Sequence, residues 1–203
     1  MKRLLLVRHG ATAWNERGLC LGRKDLPLSD TGRRQAERLR DALRGERFDR
    51  VFSSPLARAK ETARLLGFEP ELLPDLIEID RGAWEGLAPD EIRRLDPELH
   101  ARWYEDPTGL AMPRGEAFPD LWRRAGRALE LLEGSAAGTV LAVGHRAINR
   151  VLIARALGRE AKGVWGIAQP QACRTEIVAE GGRYRATLLG DVTHLPPELR
   201  SET

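Results

Sequence analysis

Cysteine is almost missing from this chain: Cys20 and Cys173 stand far apart in 203 residues. Their spacing fits neither a disulfide framework nor a cysteine metal site, so free thiols in a reducing cytoplasm are expected. Lysine is scarce too, with 4 residues among 33 basic ones, and the net charge is only +3. The abundant arginines alternate with acidic residues along the helices and never form a basic block with interleaved aromatics, which argues against nucleic acid as a partner. No apolar stretch approaches the ~20 residues of a membrane span. The apolar run after Lys2-Arg3 stops at Arg8, too soon for the core of a signal peptide. Solenoid repeats, low-complexity runs and linkers are also absent. What remains is a chain of the right length for one α/β domain with a full core, residues 1–203, in the cytoplasm and away from membranes.

Within that frame, the chemistry gathers behind short apolar runs. Leu4-Leu5-Leu6-Val7 reads as a buried strand and delivers Arg8-His9-Gly10 at its C-terminal end. Thr139-Val140-Leu141-Ala142-Val143 does the same for Gly144-His145-Arg146, and Val51-Phe52 leads to Ser53-Ser54-Pro55 with Arg58 one turn further on. Only four histidines exist in the chain, and two of them follow strands with an arginine alongside. Residues at the carboxyl ends of strands in an open α/β sheet face the ligand crevice. Neutral imidazole is a nucleophile, and the planar fork of arginine matches a phosphate better than any other anion.

The rest of the chain alternates in a single pass. A helix from about Ser29 to Arg44 puts Ala36, Leu39 and Leu43 on one face, with Ser29 or Thr31 as its cap. Pro55 suits the first turn of the next helix, which carries Ala59, Ala63 and Leu66 inward and stops at Gly67. Residues 70–117 hold six of the twelve prolines and short helical pieces such as Asp90–Leu95. They read as a lid or crossover above the crevice. Phe118, Leu121, Trp122, Ala125, Leu129 and Leu132 recur at helical spacing. Ile148–Leu157 is helical, and Thr175–Ala179 with Tyr184–Leu189 around Gly181-Gly182 predict a closing hairpin. Trp103 and Trp122 are expected to be packing residues.

Taken in order, these motifs resemble those of the histidine phosphatase superfamily, which includes cofactor-dependent phosphoglycerate mutases and many small-molecule phosphatases. The resemblance rests on Leu6-Val7-Arg8-His9-Gly10-Ala11-Thr12 with Asn15, on Gly22-Arg23 and Leu26-Pro27-Leu28-Ser29, and on Gly32 with Gln35-Ala36. It continues through Ser53-Ser54-Pro55-Leu56-Ala57-Arg58-Ala59 with Glu61-Thr62-Ala63, through Glu78 with Gly82 and Trp84-Glu85-Gly86, and ends at Gly144-His145. It implies an α/β three-layer α/β/α sandwich with a mostly parallel central sheet and a small lid over the C-terminal strand ends. It also implies a phosphomonoester hydrolase acting on a small phosphorylated metabolite through a phosphohistidine, with neither a metal nor another cofactor.

On that reading His9 is the nucleophile, and Arg8 and Arg58 hold the phosphoryl oxygens. A protonated His145 adds a further donor. Glu78 is the general acid for the leaving oxygen and later the base toward water. Asn15 and Arg23 are placed at the substrate. Each role has a structural rival: His9 and His145 as metal ligands, Arg58 as a solvated helix residue, and Glu85 in place of Glu78.

Two departures bear on the substrate. Arg146 follows His145 where many members have glycine, which offers a charge for a second anionic group. Ala117 replaces the serine of the segment Pro113-Arg114-Gly115-Glu116-Ala117, removing a cap or substrate contact. Only 67 positions separate Glu78 from His145, short of the insertion usual in mutases. With Trp84-Glu85-Gly86 and Asp191-Val192-Thr193-His194-Leu195, this favours the phosphatase branch, nearest in pattern to α-ribazole phosphatases and broad-specificity phosphatases. A cofactor-dependent phosphoglycerate mutase is the alternative, and a catalytically silent member that binds a phosphorylated ligand or a protein is a more distant one. An apolar patch on the lid would suit a homodimer.

Overall fold

The computed structural model describes residues 1–135 and 138–201. In chain order it contains β1 (Arg3–Arg8), α1 (Ala13–Glu16), α2 (Asp30–Ala42), β2 (Arg50–Ser53), α3 (Ala57–Leu65) and β3 (Glu71–Leu72). There follow α4 (Pro89–Leu95), α5 (Pro97–Glu105), α6 (Phe118–Gly134), β4 (Thr139–Gly144), α7 (Arg146–Ala156), β5 (Arg174–Glu180) and β6 (Arg183–Asp191). The strands form one sheet in the order β3-β2-β4-β1-β5-β6. β3, β2, β4 and β1 run parallel, while β5 and β6 add an antiparallel hairpin at one edge.

Side chains alternate across a strand, so each apolar run fills two cores. Leu4 and Leu6 join Val140, Ala142 and Phe52 under α6 and α7. Leu5 and Val7 join Leu141 and Val143 under α2 and α3. The result is the expected α/β/α sandwich, with helices on both faces. No helix of the described residues is long and apolar enough to cross a membrane.

Local signals account for most boundaries. Ser29 caps α2 by accepting the Gly32 N–H, as its sequence position suggests. Pro55, by contrast, does not occupy the first turn of α3. That helix starts at Ala57 with Leu56 as its extended N-cap residue, and the Ala57 N–H is satisfied at 2.7 Å by Asp25 of a distant loop. A cap supplied through space leaves no local trace in the sequence. Ala117 is the N-cap of α6 and has no side-chain bond to offer, which is what losing the serine hydroxyl means structurally.

The segment 70–117 contributes β3 to the sheet and, further on, borders the cavity at the strand ends through Trp84, Pro89, Ile92, His100 and Tyr104; it includes α5, a helix not anticipated from the sequence. α5 is fixed by Trp103, which is fully buried, stacked on Trp165 at 5.7 Å and edge-on to Phe118 at 6.2 Å. Trp122 packs on Phe118 with the Arg155 guanidinium over its ring. Both tryptophans serve packing, as expected.

Candidate active site

Register brings the three strand ends together. Arg8 pairs with Gly144 across β1 and β4, and Ser53 with Val143 across β2 and β4. One residue beyond, the His9 N–H donates to Gly144 O at 3.1 Å and the Ser54 N–H to Val143 O at 3.0 Å. His9, His145 and Ser54 therefore form a row along one sheet edge. The two imidazoles meet edge to face with centroids 5.0 Å apart. Gly10 is required just here: its Cα lies against the Gly32 backbone of α2, and a Cβ at either glycine would collide with the other segment.

Hydrogen bonds fix the tautomer of His9 and anchor the ring of His145. His9 Nδ1 lies 2.6 Å from Gly10 O. A carbonyl can only accept, so Nδ1 carries the proton and Nε2 keeps its lone pair. Arg58 Nε–H donates to that lone pair at 3.2 Å. The same guanidinium donates to Lys24 O at 2.9 Å and Gly22 O at 2.7 Å, so Arg58 is a buried residue of the site and not a solvated helix residue. His145 Nε2 lies 2.7 Å from Ser54 Oγ. That hydroxyl also accepts the Leu56 N–H, and its second lone pair and its hydrogen both suit Nε2. Nδ1 of His145 is buried without a partner among the described residues.

Both rings are held neutral. Burial, then Arg58, then Arg8 push His9 well below the usual imidazole range. Burial, then Arg58, His9 and Arg8 do the same for His145. The expected imidazolium at His145 is thus corrected: two arginines and a low-dielectric setting disfavour a third cation. Burial and Arg146 lower Arg8 to about 9, and burial lowers Arg58 to about 10. Both therefore remain charged at neutral pH.

The neutral histidines have a consequence for stability. Their folded values lie below the unfolded ~6.5, so as pH falls through that value the unfolded chain takes up protons first. The contribution is complete above pH ~6.5 and is lost below it, with up to about one proton per ring taken up on unfolding. Denaturant unfolding at pH 7, 6 and 5 checks this. A steep loss below pH 6 is expected, and a flat profile would contradict neutral rings.

A cavity of about 140 Å³ opens above this row, lined in part by Arg8, His9, Asn15, Glu78, Arg81 and Arg146. Arg8 donates to Gln169 O at 2.5 Å. Glu78 is buried at the start of α7: its Oε1 accepts N–H groups of Ile79 (2.9 Å), Ala147 (3.2 Å) and Ile148 (3.2 Å). Oε2 accepts only Ala147, at 3.1 Å, and is the freer oxygen. The backbone bearing Glu78 is tied down by Arg124, which donates to Asp75 O and Ile77 O and pairs in bidentate fashion with Glu116. Glu85 instead accepts Gly22 N–H and Lys24 N–H, at 2.9 and 2.7 Å. It braces the loop that Arg58 also grips, which separates its role from that of Glu78.

Asn15 spends Oδ1 on Thr12 N–H and Oγ–H in a capping box, which leaves its amide hydrogens toward the cavity it lines. Arg23 reaches Glu116 at 3.3 Å, Asp80 at 3.8 Å and Glu78 O at 3.4 Å. Like Arg58 and His145, it is not among the cavity-lining residues. Sequence reasoning missed Ser54 as the partner that orients His145, and it missed Arg81 altogether. The signal for Arg81 was available as a cation three residues after Glu78.

A profile of the histidine phosphatase superfamily (branch 1) matches residues 4–192. The chain belongs to this family. It is 36% identical over 185 residues to the adenosylcobalamin/alpha-ribazole phosphatase of Salmonella typhimurium, covering 88% of this chain and 92% of that protein. It is 35% identical over 162 residues to the 2-carboxy-D-arabinitol-1-phosphatase of Triticum aestivum, where the match spans 77% of this chain but 33% of the wheat protein. The crystal structure of the alpha-ribazole phosphatase from Shigella flexneri superimposes with a TM-score of 0.83 at 31% identity, over 93% of this chain and 96% of that one. With phosphatase relatives of this kind, the chain is a histidine phosphatase-type hydrolase of phosphomonoesters.

Proposed function

We propose that this chain hydrolyses phosphomonoesters of small metabolites through a phosphohistidine on His9. The observation that carries the reading is the His9 ring, neutral and tied by Nδ1–H to Gly10 O, so that the Nε2 lone pair stands beside Arg58. That lone pair attacks phosphorus, and a P–N bond forms as the ester P–O bond breaks. Arg8, Arg58 and His145 hold the equatorial oxygens, and Asn15 adds an amide donor. The leaving alkoxide takes a proton from Glu78, whose Oε2 is the less committed oxygen. Glu78 then deprotonates water, the water oxygen bonds to phosphorus, and the P–N bond breaks to release orthophosphate and neutral His9.

In this reading residues 1–203 act as one catalytic domain with 70–117 as its lid, and the positive charge at the site comes from guanidinium groups. The test is phosphate release from p-nitrophenyl phosphate and a panel of phosphorylated metabolites with a strong chelator present. The panel includes α-ribazole phosphate and 2-carboxyarabinitol 1-phosphate, after the names of the relatives. Release at an undiminished rate is expected. Loss of all release on chelation would overturn the metal-free mechanism.

A further inference from the structure

Two of the arginines lining the cavity have no part in the phosphoryl chemistry above. Arg81 follows Glu78 by three residues, and Arg146 opens α7 directly after His145. Among the described residues, neither has a carboxylate within 4 Å, although this chain pairs its arginines freely elsewhere: Arg124 with Glu116, Arg50 with Glu71, Arg3 with Glu46 and Glu176. The nearby acids are committed to other donors. Glu78 is held by the N-terminal N–H groups of α7, Glu85 by Gly22 and Lys24, and Asp80 by the Gly82 N–H and Arg23.

Arg81 lies against the backbone of Gly22, where any side chain would displace it, and its Nε is buried with no hydrogen-bond partner. Arg81 is half-buried and Arg146 exposed, and an unpaired guanidinium at a cavity wall is free to meet an anionic ligand. Cys20 and, on α5, Tyr104 border the same space. Together these residues line the stretch of cavity under the lid.

We infer that Arg81 and Arg146 form a second anion subsite, selecting phosphomonoesters whose alcohol part carries a carboxylate or a second phosphate. The inference rests on the phosphatase reading and specifies its substrate class. A cavity of about 140 Å³ has room for roughly ten water-sized groups, so the second anion stands only a few bonds from the ester. Phosphoryl transfer to His9 leaves the second anion in place, where it anchors the alcohol until proton transfer from Glu78 is complete.

The test compares kcat/KM for four esters of similar size: 3-phosphoglycerate, 1,3-propanediol bisphosphate, glycerol 3-phosphate and 1,3-propanediol monophosphate. The wild type is expected to favour the two esters with a second anion by about tenfold to a hundredfold, the range of a desolvated charge-assisted contact. The first two esters distinguish a carboxylate from a phosphate as the preferred group. In R81Q and R146Q the anionic-to-neutral ratio falls at least fivefold, chiefly through KM, and in the double variant it approaches one. R81K is expected to recover part of the ratio. A wild type without preference, or variants that lose all four esters in equal proportion, would overturn the subsite. Calorimetric binding of the same esters to R81Q and to the wild type is measured in parallel. If no ester releases phosphate, the hydrolase reading falls, and tighter wild-type binding of the anionic esters still decides the subsite.

Discussion

His9→Ala abolishes turnover, with a fall in kcat on the order of 10⁴–10⁶, as when the nucleophile of a concerted catalytic set is removed. The fall is steep because no other group in reach can replace Nε2. His145 has its Nε2 engaged with the Ser54 hydroxyl and is not among the residues lining the cavity. Arg8 and Arg58 are cations. Folding survives because the ring's own hydrogen bonds are two, one to the adjacent Gly10 O and one from Arg58, and Arg58 keeps its bonds to Gly22 O and Lys24 O. The variant also retains the guanidinium cradle, so phosphate binding persists and is measurable by calorimetry. His145→Ala makes the contrast: it removes a donor and not the nucleophile, so its loss is smaller, about 10²–10³. Turnover in His9→Ala within tenfold of the wild type would remove the phosphohistidine from the mechanism.

The parts of this site legible in the sequence are those fixed by a strand and the residue after it. His9 and His145 follow apolar runs whose burial is local information, and parallel register then sets them side by side. Arg58 was legible through its motif, though its interaction with His9 is not local. Choosing Glu78 over Glu85 needed the family pattern. The two are seven residues apart and chemically alike, and only their partners, α7 for one and the 22–24 loop for the other, separate them. The surroundings of Arg23 were illegible because they come from 55 to 93 residues away, at Glu78, Asp80 and Glu116. The neutral state of His145 was illegible for a related reason: charge state follows from the sum of burial and three-dimensional neighbours, and a sequence displays neither. Helix α5 escaped notice because its inward face depends on a single tryptophan stacked on Trp165, too little periodicity to read in advance.

Glu78→Gln separates proton transfer from the rest of the reaction. The amide oxygen is able to accept the N–H groups of Ile79, Ala147 and Ile148 that Oε1 now accepts, so α7 keeps its N-terminal contact and the fold is little disturbed. What is lost is a transferable proton on the other atom. For esters of ordinary alcohols, whose alkoxides leave poorly without protonation, kcat is expected to fall by about 10²–10⁴. For p-nitrophenyl phosphate, whose leaving group departs without protonation, formation of the phosphohistidine is spared. The loss there is confined to hydrolysis of that intermediate, so a rapid release of p-nitrophenol precedes a slow steady state. Glu85→Gln is the internal comparison, since its amide oxygen still accepts Gly22 and Lys24 and activity toward both kinds of ester should stay within a few-fold of the wild type. Equal losses for alkyl and nitrophenyl esters in Glu78→Gln, with no early release, would take Glu78 out of the proton-transfer role. A loss of the same size in Glu85→Gln would transfer that role to Glu85, against the partners that the fold gives it.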